Sequence, residues 1–339
     1  MTTRISVSDL EGIVTRILLR AGLCDAQSRA VARVITAGER DACKSHGIYR
    51  IDGYLDTLAA GKVNRDAEPS LQDDGSGVIR VDAQGGFSPA AFALGAPVLA
   101  DRARALGVAA LVINDCTHFS ALWPEVEVLT DDGLAALAMC PSYATVAPSG
   151  GTAPLLGTNP MAFGWPRRND PPYVFDFATS AAARGEIELH FRAGTTLPEG
   201  CAIDSDGQPT TNPDRALHGA MLPFGGHKGS AIATMIELLA GAMIGDLTSQ
   251  GALDYLGTTA LFPRHGELIL AFDPQRFAAG RSGDPLDRAE VLFSALVGQG
   301  ARLPSQRRFA ARSKALAGGI ELSPQELAKL DTLQRGGHS

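Results

Sequence analysis

Near the N-terminus the apolar side chains Leu10, Ile13, Val14, Ile17 and Leu18 recur at helical spacing. Such a stripe is stable only against a second apolar surface, so the opening of the chain has to pack onto another element. Ser8-Asp9-Leu10-Glu11 reads as a capping box for this helix, and Gly22 supplies its stop. A second helix is expected from just after Asp25 towards Cys43, and a third from about Tyr49 to Ala60, closed by Gly61. The tail carries another capping box, Ser323-Pro324-Gln325-Glu326, with proline at the first helical position. Both ends of the chain therefore read as helical.

Between them the pattern is mixed. Val78 to Val81, Val108 to Ile113, Leu134 to Met139, Tyr173 to Phe177 and Glu267 to Phe272 read as short strands, and Pro89 to Leu106 as an Ala-rich helix. Positions 147–166, dense in Gly, Pro, Thr and Asn, read as one long ordered loop. Gly225 to Gly229 precedes an apolar helix expected over Ile232 to Ile244. That segment contains Glu237 and is too short to cross a bilayer. A length of 339 residues fits one large domain or two intertwined ones.

A net charge of −7 with scattered basic residues argues against a nucleic-acid partner, and no membrane partner is expected. The five cysteines form no C-x-x-C pair and read as reduced thiols; with no secretory leader in sight, a cytoplasmic protein is expected. Glu186, Glu188 and His190 alternate, which suits an exposed strand face as well as a metal site, and no metal is assigned.

The chain has no full G-x-G-x-x-G, no P-loop, no G-x-S-x-G and no H-E-x-x-H. Four segments stand out instead. Ser45-His46-Gly47-Ile48-Tyr49-Arg50 lies at a helix junction, with an imidazole for proton transfer and a guanidinium able to fork onto a carboxylate. On pattern alone the stronger reading is a helix start with a solvated His and a surface Arg. Thr117-His118-Phe119-Ser120-Ala121-Leu122-Trp123-Pro124 follows an apolar strand, as a ligand loop or a packed turn would. Leu156-Gly157-Thr158-Asn159-Pro160, with Asp176-Phe177-Ala178-Thr179-Ser180, offers small and hydroxylic donors or simply turns. Gly225-Gly226-His227-Lys228-Gly229 opens a helix, where backbone amides and Lys228 suit an anion, or forms a surface loop.

Taken in order, these segments resemble the malate/L-lactate dehydrogenase family that does not use a Rossmann fold. The likeness runs from the helix near Ser8 to Arg302-Leu303-Pro304-Ser305-Gln306-Arg307-Arg308. It implies an α/β (α+β) fold with a mainly antiparallel sheet. A helical domain built from both chain ends is implied at 1–65 plus 300–339, and an NAD(P)-binding and substrate domain at 66–299. It also implies a homodimer. By the same resemblance His46 is the catalytic acid/base, Ser45 its partner, and Arg50, Thr158 and Glu186 bind substrate. The cofactor is implied to lie along His118, Phe119, Ser120, Ala121, Leu122, Asp176, Phe177, Ala178, His227 and Lys228, and along positions 302–308.

The family's usual loop H-F-G-x-x-G-Y is replaced by His118 to Pro124, and its G-G-Y-K-G-Y-G by Gly225 to Ala231. A Lys common after A-R-G is Glu186. These departures resemble the branch that reduces Δ1-piperideine-2-carboxylate and Δ1-pyrroline-2-carboxylate to L-pipecolate and L-proline with NADPH, NADH being possible. In that reading an imidazolium at His46 protonates the ring nitrogen, Trp123 walls the ring methylenes, and Glu186 favours a cationic iminium. The alternative is an NAD(P)-dependent 2-hydroxy-acid dehydrogenase of the malate, lactate or ureidoglycolate type, with the same His and Arg acting on a carbonyl.

Overall fold

A computed structural model describes residues 3–337. Met1, Thr2, His338 and Ser339, which fall within the expected domain limits, lie outside the described residues. The chain begins with strand β1 (Thr3–Ile5) and helices α1 (Val7–Arg20), α2 (Asp25–Arg40) and α3 (Ile51–Ala59). Leu10, Val14, Ile17 and Leu18 of α1 are buried, as the stripe requires. The cap is Ser6 rather than Ser8: its hydroxyl accepts the Asp9 amide at 3.0 Å. The shift follows from β1, whose pairing ends at Ile5 and leaves Ser6 as the first residue free to cap.

Strands β2 (Ser70–Gln72) and β3 (Val78–Asp82) precede α4 (Ser88–Leu106) and β4 (Val108–Thr117). Then come α5 (Trp123–Asp131), β5 (Ala135–Met139), β6 (Met161–Trp165), β7 (Tyr173–Phe177) and α6 (Arg184–Ala193). A small excursion holds β8 (Ala202–Ile203), β9 (Pro209–Thr210), α7 (Pro213–His218) and β10 (Ala220–Met221). The remainder is α8 (His227–Glu237), α9 (Ser249–Leu256), β11 (Arg264–Phe272), α10 (Pro274–Phe277), α11 (Pro285–Gly298), α12 (Gln306–Gly318), β12 (Ile320–Leu322) and α13 (Pro324–Gln334).

The main sheet has the order β2-β3-β4-β11-β5-β6-β7, and every neighbouring pair in it is antiparallel except β3 with β4. The expected mixed α/β fold with a mainly antiparallel sheet is what the chain forms. The alternating strand pattern meets a core of Ile79, Val81, Leu111, Ile113, Leu129 and Ile269 under α4 and α5. The two chain ends share a separate core, in which Leu10, Val31, Ile51 and Leu55 meet Ala315, Leu322, Leu330 and Leu333. β1 pairs with β12 across the same junction, and the predicted capping box at Ser323 and Glu326 is formed.

Three local expectations are corrected. The loop expected over 147–166 contains β6, because Ala162 and Gly164 turn inward under α5, where Thr130 and Val126 leave no room for a side chain on Gly164. Glu186, Glu188 and His190 lie on helix α6, not on a strand face; Ile187 supplies its buried anchor. The helix expected from Ile232 starts at His227, directly after Gly225 and Gly226 at φ +57° and +60°. Gly229 is inside it, since a Cβ there would meet the Phe224 carbonyl oxygen at 2.2 Å. Among the described residues no helix is long and apolar enough to cross a membrane.

An ionic cluster ties the chain ends to the sheet. Arg308 reaches Asp41 at 3.0 Å and Glu127 at 2.5 Å, and Arg312 reaches the same two at 2.5 and 2.6 Å. Burial pushes the Asp41 carboxyl up, but hydrogen bonds from Arg312 and Arg40 outweigh it and bring it down to about 2. The cluster joins the end of α2, the start of α12 and α5. The N-terminal residue of α5, Trp123, lies beneath the Arg308 guanidinium at 5.1 Å.

Candidate active site

The Ser45 to Arg50 segment is folded as two short 3₁₀ turns, Lys44–His46 and Ile48–Arg50, wedged between α2 and α3. Its glycine has a steric cause. A Cβ on Gly47 would lie 2.1 Å from Oε1 of Glu39, a buried carboxylate that accepts the Ile48 amide at 2.8 Å. Gly38 of α2 likewise lets the His46 carbonyl approach, its Cβ position being 2.5 Å from that oxygen. The backbone under His46 is therefore pinned from both sides.

The His46 ring is half-buried, with Nδ1 3.1 Å from the Ser45 hydroxyl and its ring in edge contact with Trp123 at 5.8 Å. Burial is the largest cause that lowers its pKa, followed by the charge of Arg50 and by His118, and the result is about 3. In the free protein His46 is therefore a neutral imidazole at neutral pH. Arg50 donates from Nε to the Ser45 carbonyl at 2.7 Å and lies 4.5 Å from the Phe119 ring centroid. Among the described residues no carboxylate forms an ion pair with Arg50, although Glu188 of α6 is near enough to act on it electrostatically.

The loop after β4 carries the second segment. Phe119 stacks on Tyr143 at 5.6 Å, and Ser120 shares a 2.7 Å hydrogen bond with the Tyr54 hydroxyl. Ala121 and Leu122 are core residues and do not face a ligand with their side chains. The His118 side chain does not face the surface either; it turns into the core towards Glu125, Glu267 and Cys140. Asp176 accepts the amides of Leu122 and Trp123 at 2.9 and 3.0 Å, carrying the start of α5.

β7 gathers the remaining segments. Beyond Asp176, Phe177 packs edge-on against Phe224, just before Gly225, and half-buried Ala178 leads to Thr179, whose amide bonds the Thr158 carbonyl at 2.7 Å. At the other end of β7, the Ser305 hydroxyl donates to the Val174 carbonyl at 2.7 Å. Leu303 is buried and Pro304 half-buried, while Arg302, Gln306 and Arg307 are exposed. Arg308, expected on the cofactor, spends its guanidinium on Asp41 and Glu127. Glu186 is exposed and acts electrostatically on Cys201, whereas Arg184 and Glu188 of the same helix act on Tyr143. Tyr54 and Tyr143 were not singled out from the sequence, and Glu188 was read there only as part of a strand face or metal site. Their neighbours in space are more than sixty positions distant for Tyr54 and Ser120, and no local pattern marks them.

The start of α8 fits an anion-bearing cofactor. His227 and Lys228 are exposed there, and open space surrounds the Cβ position of Gly225. A groove of about 530 Å³ continues along the helix past Ser149, His227, Ser230, Thr234 and Leu238. Among the described residues two buried groups have metal-compatible spacing, both containing His118: one with Cys140 and His265, the other with Glu125 and Glu267. The five cysteines are all free thiols.

Residues 5–331 match the family model for malate/L-lactate dehydrogenase. The chain is 68% identical over 337 residues to Δ1-pyrroline-2-carboxylate reductase of Agrobacterium fabrum, covering 99% of this chain and 98% of that one. It is 55% identical to the Δ1-pyrroline-2-carboxylate/Δ1-piperideine-2-carboxylate reductase of Pseudomonas aeruginosa, over 94% of this chain and 96% of the other. The crystal structure of Δ1-piperideine-2-carboxylate reductase from Pseudomonas syringae superimposes with a TM-score of 0.94 at 41% identity, covering 98% of this chain and all (100%) of that one.

Proposed function

Since the chain belongs to the malate/L-lactate dehydrogenase family, we propose that it reduces the C=N bond of small cyclic imine carboxylates, Δ1-pyrroline-2-carboxylate and Δ1-piperideine-2-carboxylate. It is an oxidoreductase acting on a CH–NH group. The observation that carries this reading is the pair Arg50 and His46: a guanidinium that forms no ion pair among the described residues, beside a neutral imidazole in edge contact with the Trp123 indole. Arg50 takes the carboxylate in a fork, and Trp123 lies along the ring methylenes. Both contacts fix the plane of the C=N bond.

The cofactor is a nicotinamide, which supplies the hydride when bound; we assign NADPH, with NADH the alternative. The exposed Arg302 and Arg307 favour the phosphorylated form. His227, Lys228 and the backbone around Gly225 hold its anionic part, and the 118–122 loop and residues 176–178 hold the rest. A neutral His46 changes the proton bookkeeping. The ring nitrogen arrives already protonated as an iminium, and addition of hydride to C2 yields a neutral secondary amine without a proton donor. With Nδ1–H donated to Ser45, Nε2 accepts a hydrogen bond from the iminium N–H and holds it in place. Thr158 is assigned to the substrate. Glu186 is assigned to the substrate, and Glu188, two residues on in α6, acts electrostatically on Arg50 and adds negative charge that suits a cation.

The protein acts as a homodimer in the cytoplasm in this reading. Exposed Met235, Leu238 and Met243 give an apolar face that suits the association. We assign the division 1–65 plus 300–339 and 66–299; Phe87 and Phe262 of the second part join the core of the first.

A substrate panel tests the reading. Nicotinamide absorbance is followed with both cyclic imines, pyruvate and oxaloacetate, each with NADPH and with NADH. Turnover of the imines with NADPH is expected; turnover of the keto acids alone would select the 2-hydroxy-acid dehydrogenase alternative. The steric fit at Gly47 gives a second expectation. Gly47→Ala forces Glu39 or the His46 backbone to move, and a displacement of about 1 Å costs on the order of 10²-fold in rate. Imine kcat/KM should fall by roughly that factor, with cofactor binding read by nicotinamide fluorescence left intact. An unchanged kcat/KM would mean the motif glycine does not position His46.

A further inference from the structure

Behind the Trp123 wall the sheet buries two carboxyl groups that pair with no Lys or Arg among the described residues. Glu125 lies in the first turn of α5 and Glu267 in the middle of β11, at 4% and 0% exposure. An oxygen of each lies within 4.8 Å of one on the other. Among the described residues no Lys or Arg forms an ion pair with either; their charged-pair neighbour is His118, whose Nε2 stands 3.7 Å from Glu125 and 3.9 Å from Glu267. The groups around them are His118 and Cys116 from β4 and its loop, Cys140 after β5, Asp176 from β7, Ser88 from α4, and the neighbouring His265 on β11. Asp176 adds repulsion, and His265 is itself neutral, lowered to about 4 by burial and by His118. Ser88 donates its hydroxyl proton to Glu267.

With both carboxyls ionised, every oxygen is an acceptor. Glu125 Oε2, Glu267 Oε1 and the buried His118 Nε2 are then left without hydrogen-bond partners. A proton on the pair supplies the missing donor.

We propose that Glu125 and Glu267 are positioning residues for the reduction, a proton-sharing carboxyl pair that, with His118, clamps the Trp123 end of α5 and the 118–122 loop to the sheet. The proposal rests on the reading of His46 and Trp123 as the substrate site. Burial raises Glu125 to about 7 and Glu267 well above its ordinary value, in each case as the largest cause. Loss of the proton sets two carboxylates against each other across α5 and β11 and loosens the wall beside His46.

The test begins with the wild-type protein and needs no substrate. At pH 8 exposed carboxylates are ionised, so a protonated-carboxyl C=O stretch in the infrared, shifting in D₂O, is expected from the pair. Glu267→Gln should remove it. Absence of the band, or its full persistence in this variant, would overturn the shared proton. So would a stoichiometric divalent metal in purified wild-type protein that is lost in the variant, since a cation would then hold the carboxylates. For positioning, Glu125→Gln keeps the shape and cannot ionise. The ratio of its imine kcat/KM to that of wild type cancels the ionisation of the substrate; it should rise several-fold from pH 7 to pH 9. A flat ratio would overturn the positioning role. If neither protein turned over imines while the infrared band was present, the pair would stand and the substrate assignment would fall.

Discussion

His46→Ala should lower imine kcat/KM by about 10–10²-fold, since one hydrogen bond to a charged group contributes about 1.5–3 kcal/mol, while cofactor binding and the thermal midpoint at pH 8 stay near wild type. The neutral state of His46 adds a sharper expectation. kcat/KM reports ionisations of the free enzyme, and in the free enzyme this imidazole is displaced from 6.5 to about 3. The acid side of the wild-type profile should therefore show no break near pH 6.5. A break there, absent in His46→Ala, would restore the imidazolium as proton donor. The same shift has a stability consequence with a definite sign. A lowered imidazole pKa means the unfolded chain binds the proton more readily, so the contribution is present above 6.5 and is lost as pH falls from 6.5 towards about 3. Replacing His46 removes that dependence, and the variant should be relatively more stable than wild type at pH 5 than at pH 8. Melting curves at the two pH values read it directly.

The sequence exposed the parts of this fold that are written in local periodicity. The α1 stripe, the Ala-rich α4, and strands β3, β4, β5, β7 and β11 all have patterns confined to a few residues. Errors arose where a distant partner decides the outcome. Ser6 displaced Ser8 as a cap because β12, more than three hundred positions away, ends the preceding strand. β6 was hidden in a Gly- and Pro-rich stretch because its pattern depends on α5 above it. The site follows the same rule. Ser45, His46 and Arg50 were legible as chemistry, since a hydroxyl, an imidazole and a guanidinium were brought together within six positions. Which way a side chain turns was not. His118 and Arg308 carry groups suited to a ligand, yet the fold turns the first to Glu125 and Glu267 and the second to Asp41 and Glu127. In both cases a buried carboxylate needs a partner more than the surface does.

Arg50→Met should leave a protein that folds, binds cofactor and fails on saturation. The guanidinium is anchored at one end only: Nε bonds the Ser45 carbonyl at 2.7 Å and the plane rests on Phe119 at 4.5 Å. Methionine keeps much of the apolar contact with Phe119 and Tyr49 and removes the fork. Two charge-assisted hydrogen bonds to a carboxylate, at about 1.5–3 kcal/mol each, give a loss on the order of 10²–10⁴ in kcat/KM. Lysine is a stricter probe. It restores the charge as a point without the planar fork, so KM should recover in part while kcat stays low, because C2 is no longer held in one orientation. Charge on Arg50 is also one of the causes that keep His46 neutral. Arg50→Met therefore raises the imidazole pKa, and Arg50→Lys raises it less. Titration of the His46 ring protons by NMR in the free proteins should show this order. If Arg50→Met left both the imidazole titration and imine kcat/KM at wild-type values, neither the carboxylate role of Arg50 nor its coupling to His46 would survive.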